Sequence, residues 1–174
     1  MHKIAVALAA CTGLAVPALA QAPAPAPAAA PPAALDMKTV ATSADVQALV
    51  AKARATIKPG QPNLNQPILS VAPYRASIEY RIATTPANLH LFDAELVYVI
   101  SGTGTFTIGG TINESKPPVN GNVFGTTIAG GTDHKLIPGN MFLVPEKVPH
   151  WFHDIQGELV LLTLHVPRPV EWPK

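Results

Sequence analysis

The 174-residue chain has a single cysteine, Cys11, and it lies in a stretch that reads as a cleavable leader. That stretch, MHKIAVALAACTGLAVPALAQ, has a basic start at His2 and Lys3, an apolar run from Ile4 to Val16, and small residues at Ala18 and Ala20. The layout is that of a secretory signal peptide over residues 1–20. Its apolar run is interrupted by Gly13 and Pro17 and is too short for a membrane span of ~20 residues. Cleavage after Ala20 removes Cys11, so the mature chain has no disulfide, no thiolate nucleophile and no cysteine metal site. Leu8–Cys11, LAAC, also looks like a lipobox, which makes a lipid anchor at Cys11 the minor alternative. The expected location is periplasmic or secreted.

Charge is scarce too. Charged residues make up 13% of the chain, with 12 Lys plus Arg against 11 Asp plus Glu; loss of Lys3 leaves the two signs equal. No Lys/Arg cluster occurs, which argues against nucleic acid or an anionic membrane surface as partner. GTGTFTIGG lacks the spacing and following helix of a dinucleotide motif. There is no Ser-His-Asp arrangement and no internal repeat, and Asn113-Glu114-Ser115 is read as a chance match to a glycosylation acceptor.

Proline and alanine, by contrast, crowd residues 21–41, where QAPAPAPAAAPPAA forms neither a helix nor a core and reads as a polyproline-II spacer. About 140 residues follow, enough for one domain. Residues 42–66 read as a helix and connecting arm. Thr42 or Ser43 caps the helix, Asp45 sits in its first turn, Val46, Leu49, Val50 and Ala53 share a face, and Lys58-Pro59-Gly60 ends it. Residues 67–168 change to short alternating segments broken by Gly and Pro, with 169–174 as a tail. Strands are expected at Ile68–Ser70, Tyr74–Ile82, Ala87–His90, Glu95–Ile100, Thr105–Ile108, His134–Ile137, Met141–Val144, His150–Ile155 and Glu158–Val166. Thr111–Asp133 reads as a long loop with one strand around Val123–Ile128. This is the pattern of an all-β antiparallel sandwich or barrel.

Glu95 shares a strand face with Val97 and Val99, so it points inward and needs a cation, because an unpaired buried carboxylate costs several kcal/mol. Asn88 and His90 share a face one strand earlier, and the LFDA turn brings His90 and Glu95 to the same end of the interior. Further on, His150, Phe152 and Asp154 face one way, and Trp151, His153 and Ile155 the other.

These two stretches resemble the paired motifs of the cupin superfamily. Asn88-Leu89-His90, Glu95 and Gly102 fall where its first motif has two histidines, a glutamate and a glycine. Gly139, Pro145 and His150 fall on the second, and VPEKVPHWF resembles its proline turn, with Lys147 in place of a common turn glycine. The similarity covers roughly Ile68 to Pro167 and implies a cupin double-stranded β-helix, or jelly-roll barrel, with a short N-terminal helix. The whole chain resembles a single-domain, exported bacterial cupin. By position the resemblance implies metal ligands His90, Glu95 and His150, with Asn88 standing where the first histidine usually is and offering either a weak amide oxygen to the ion or a hydrogen bond to one of its ligands. The implied cofactor is a divalent ion, Fe, Mn, Ni or Zn.

His134 and His165 are weaker candidates: the first reads as a solvated loop histidine, the second as a core or cavity-lining one. Arg75 and Arg81 read as part of a solvated face. Asp93 reads as a turn residue, with a supporting role around the metal or a catalytic one as its alternatives. The resemblance implies a metal-dependent enzyme on a small organic substrate, of dioxygenase, decarboxylase, isomerase or lyase type, with Glu95 or Asp93 moving protons. The alternative is a non-catalytic small-molecule or sugar-binding barrel with a degenerate metal site. A homodimer is compatible with the resemblance.

Overall fold

In the computed structural model, residues 38–168 are described; the leader with Cys11, nearly all of the Ala/Pro-rich spacer and the 169–174 tail lie outside the described residues. Helix α1 (Ser43–Thr56) begins where the sequence predicts. Thr42 forms a reciprocal capping box, in which Asp45 N–H donates to Thr42 Oγ1 at 3.2 Å and Thr42 N–H donates to Asp45 Oδ2 at 2.7 Å. The Thr42 N–H, together with the Thr42 hydroxyl that also donates to Asp45 Oδ2 at 2.7 Å, lowers the Asp45 pKa to about 2.

Twelve strands follow: β1 (Asn63–Val71), β2 (Tyr74–Arg81), β3 (Ala87–His90), β4 (Asp93–Gly102), β5 (Gly104–Ile108), β6 (Thr111–Ile112), β7 (Asn122–Gly125), β8 (Ile128–Ala129), β9 (Thr132–Leu136), β10 (Met141–Val144), β11 (His150–His153) and β12 (Leu159–Pro167). One five-stranded sheet has the order β1-β2-β12-β4-β10, the other β7-β3-β11-β5-β9, and β6 pairs with β8. Every pairing is antiparallel. Among the described residues the architecture is all-β, two five-stranded antiparallel sheets arranged as a jelly roll, with one helix. β1 begins inside the stretch that the sequence reads as a connecting arm. The expected loop 111–133 holds three short strands and the start of β9, and one of those three, β7, borders the site.

Period-two alternation divides the first sheet into two working faces. On β12, Leu159 and Leu161 turn inward and join Val97, Val99, Phe106, Leu136, Val144 and Phe152 in the core between the sheets. Val160 turns outward and, with Ile68, Ala76, Ile78 and Tyr80, is covered by Val50 and Ala53 of α1. Arg54 of α1 forms a fork on Glu158, and Tyr80 donates to the same carboxylate at 2.7 Å. The sheet is therefore buried on both faces where α1 lies.

The motif glycine has a steric cause. Gly102 has φ of 87°, and a Cβ there would stand 2.0 Å from the Glu158 carbonyl oxygen, so no other residue fits. Lys147, in the turn before β11, has φ of 63°, a left-handed conformation that explains why a glycine suits this turn.

Candidate metal centre

Three register pairs assemble the site. β4 and β12 set Glu95 beside His165, β3 and β11 set Asn88 opposite His150, and β3 and β7 set His90 opposite Asn122. His90, Glu95 and His150 are buried, at 8%, 3% and 2% exposure. The Nε2 atoms of His90 and His150 each lie 3.2 Å from Glu95 Oε2, and the two rings are 5.0 Å apart between centroids. Two imidazoles thus converge on one carboxylate oxygen inside the barrel.

The outer nitrogens of both rings are committed elsewhere. Asn122 Nδ2 donates to the carbonyls of Asn120 (3.1 Å) and Val119 (3.5 Å), which turns its Oδ1 toward His90 Nδ1 at 2.5 Å. His150 Nδ1 donates to the Val148 carbonyl at 3.2 Å. With both Nδ1 atoms carrying hydrogen, both Nε2 atoms aim at Glu95 either as N–H donors or as lone pairs for a cation.

The titration follows. Burial opposes the charge on Glu95, but hydrogen bonds from His150 and His90 outweigh it and hold the carboxyl far below the usual carboxylate range. Burial opposes charge on His90 also, yet the hydrogen bond and charge of Glu95, aided by Asn122, raise its pKa. Burial, with the charges of His90 and Arg75, lowers His165 despite Glu95 and Asp93.

The sequence-predicted residues meet as follows. His90, Glu95 and His150 come together. Asn88 is adjacent, its Nδ2 3.5 Å from His90 Nε2, while its Oδ1 is buried with no partner among the described residues. Asp93 opens β4 and lines the cavity, 3.4 Å from Arg75 Nη2 and 3.7 Å from His165 Nδ1. His165 lines the site as well: one ligand atom each from His90, Glu95 and His165 lie within 4.8 Å of one another. Its Nδ1 is likewise buried with no hydrogen-bond partner among the described residues. His134 does not take part; it is exposed on β9 and packs on Phe142.

Arg81 corrects the sequence reading. It is 7% exposed, inside the barrel, and paired with Glu79 rather than solvated. Arg75 is exposed but lines the same cavity, of about 530 Å³. The donor set, with its imidazole nitrogens held in place, one carboxylate and two unpartnered buried polar atoms, fits a divalent metal ion. Its identity is not encoded in these residues, since Fe, Mn, Ni and Zn all accept imidazole and carboxylate.

No family model and no curated protein matches the chain. Solved structures do. A protein from Thermus thermophilus matches with 14% identity over 67% of this chain and 93% of its own, at a TM-score of 0.48. Iron(II) HppE matches with 15% identity over 61% of this chain and 52% of its own, at 0.47. A putative mannose-6-phosphate isomerase from Ralstonia eutropha JMP134 matches with 16% identity over 66% of this chain and 94% of its own, at 0.44. The chain spans about half the length of HppE. The described residues form two five-stranded antiparallel sheets, and His90, Glu95, Gly102 and His150 stand in them at the positions where the sequence resembles the cupin motifs.

Proposed function

We propose that the protein binds a divalent metal through His90, Glu95 and His150, with His165 as a further donor, and acts on a small organic molecule in the barrel. The observation that carries this is the convergence of two oriented imidazoles on one buried carboxylate oxygen, each at 3.2 Å. An ion held there would supply Lewis acidity to a substrate oxygen and stabilise negative charge developing on it. Asp93 lines the same cavity and is the residue proposed to move protons, while Glu95 stays ionised among its imidazoles. Phe92 and Phe124 at the cavity, both exposed, supply apolar wall to a bound molecule. The reaction belongs to the dioxygenase, decarboxylase, isomerase or lyase types, and the leader sequence supports a periplasmic or secreted setting.

The test is elemental analysis of the purified protein beside Glu95→Gln and His150→Ala. Near-stoichiometric metal in the wild type, lost in both variants, is expected. A wild type that stays metal-free after reloading with Mn, Fe, Ni and Zn would sink the proposal. Asn88 in a histidine's usual place favours a second reading, a non-catalytic binding barrel, and that outcome would leave it standing.

A further inference from the structure

The same cavity holds a buried ion pair that the metal centre does not use. Glu79 and Arg81 lie on the inner face of β2, at 4% and 7% exposure. Glu79 Oε2 accepts from Arg81 Nε (3.0 Å) and Nη2 (2.5 Å), and its Oε1 accepts from Asn65 Nδ2 (3.2 Å) and Thr163 Oγ1 (3.3 Å). The carboxylate is therefore satisfied on both oxygens. The guanidinium is not. Of its five N–H groups, two go to Glu79 and one to Thr85 Oγ1 at 2.7 Å, which leaves one on each terminal nitrogen.

Arg81 is also held in place relative to the imidazoles. Its Cζ sits 4.1 Å from the centroid of Phe152, and the Phe152 and His150 rings are 6.3 Å apart. Phe152 thus touches both the guanidinium and the His150 ring, and Arg81 and His150 line one cavity. Asn88 Oδ1, on the same cavity, is a buried acceptor without a donor among the described residues.

Building on the metal-site reading, we propose that the cavity takes a small monocarboxylic hydroxy acid. Its carboxylate sits on the free N–H groups of Arg81, and its hydroxyl donates to Asn88 Oδ1. The charge balance agrees. The cavity is lined by Arg75 and Arg81 against Glu79, Asp93 and Glu95. A dication leaves one net positive charge, which a single carboxylate neutralises. A neutral polyol satisfies Asn88 but leaves the guanidinium without the charged, two-point partner its geometry suits. A dicarboxylate brings surplus negative charge into a buried space.

Calorimetric titration with 2-hydroxybutyrate, 2-hydroxybutyramide and butyrate tests this, with metal content measured on each sample. Wild type is expected to bind the hydroxy acid about tenfold or more tighter than either analogue. Arg81→Gln combined with Glu79→Gln, which leaves no lone buried charge, abolishes the preference for acid over amide at unchanged metal content. Arg81→Lys, which keeps the positive charge but not the fork, is expected to shrink the preference for acid over amide severalfold without abolishing it, and gives the readout should the double variant fail to fold. Asn88→Val abolishes the preference for the hydroxy acid over butyrate. Equal affinity for acid and amide in the wild type overturns the proposal, as does an acid preference that stays undiminished in whichever Arg81 variant folds. So does the absence of binding by every probe at ~10 mM, weaker than any useful affinity. A metal-free wild type whose acid preference still depends on Arg81 sinks the metal reading and leaves the carboxylate anchor in place.

Discussion

Replacing Asn122 by alanine tests whether the His90 ring is held for metal binding rather than merely buried. Asn122 Oδ1 is the acceptor for His90 Nδ1 at 2.5 Å, and its own amide is fixed by the carbonyls of Asn120 and Val119. Removing it frees the ring to rotate and to place its proton on Nε2, where it blocks coordination. Loss of such a partner typically weakens metal binding ~10–100-fold, about 1.4–2.7 kcal/mol. The backbone pairing of β7 with β3 does not need the side chain, so the fold should hold. Asn122→Asp keeps an acceptor at the same point and should restore most of the affinity. Competition against a chelating dye gives the metal affinity, and a thermal melt reports the fold. A folded Asn122→Ala protein with wild-type metal affinity would refute the argument.

Lys147→Gly should raise stability by about 1 kcal/mol, because an exposed lysine is held at φ of 63°; a thermal melt lower than wild type would contradict this. Glu158 is held below the usual carboxylate range chiefly by Arg54 and Tyr80, against some burial. Its contribution is therefore present above the ordinary carboxylate pKa and is lost as pH falls through the lowered folded value. Melts taken from pH 6 down to 3 should show Glu158→Gln losing less stability with acid than wild type. The difference should stay below about 1 kcal/mol for so exposed a pair. Mass spectrometry of protein recovered from outside the cytoplasm is expected to show a mature start at Gln21, and an intact leader there would refute the signal-peptide reading.

Local sequence carried the capped helix, most of the strands and the inward turn of Glu95, because caps and period-two alternation are local signals. Arg81 shows where that signal stops. In YRASIEYRI the alternation correctly groups Arg75, Ser77, Glu79 and Arg81 on one face, but polarity suggests that this face is the outer one. It is the inner one, because Ala76, Ile78 and Tyr80 on the opposite face are buried under α1. Alternation says which residues share a face and not which face is inside. His165 was visible as a polar residue two positions after Thr163 in an apolar strand, but its place beside Glu95 depends on the β4–β12 register, a long-range pairing. Asn122 left no trace at all in a Gly/Asn-rich stretch.

The barrel interior is split between an oily half around Phe106, Leu136 and Leu161 and a wet half around His90, Glu79 and Arg81. Cohesion and chemistry thereby draw on different side chains. A lineage carrying this chain can exchange Asn63, Ser77, Asn88 or Asn122 for other polar groups while the oily half keeps the sheets together. New ligand preferences are reachable by single steps that each leave a folded protein, so divergence in specificity should accumulate on β1, β2, β3 and β7 and spare β5 and β9.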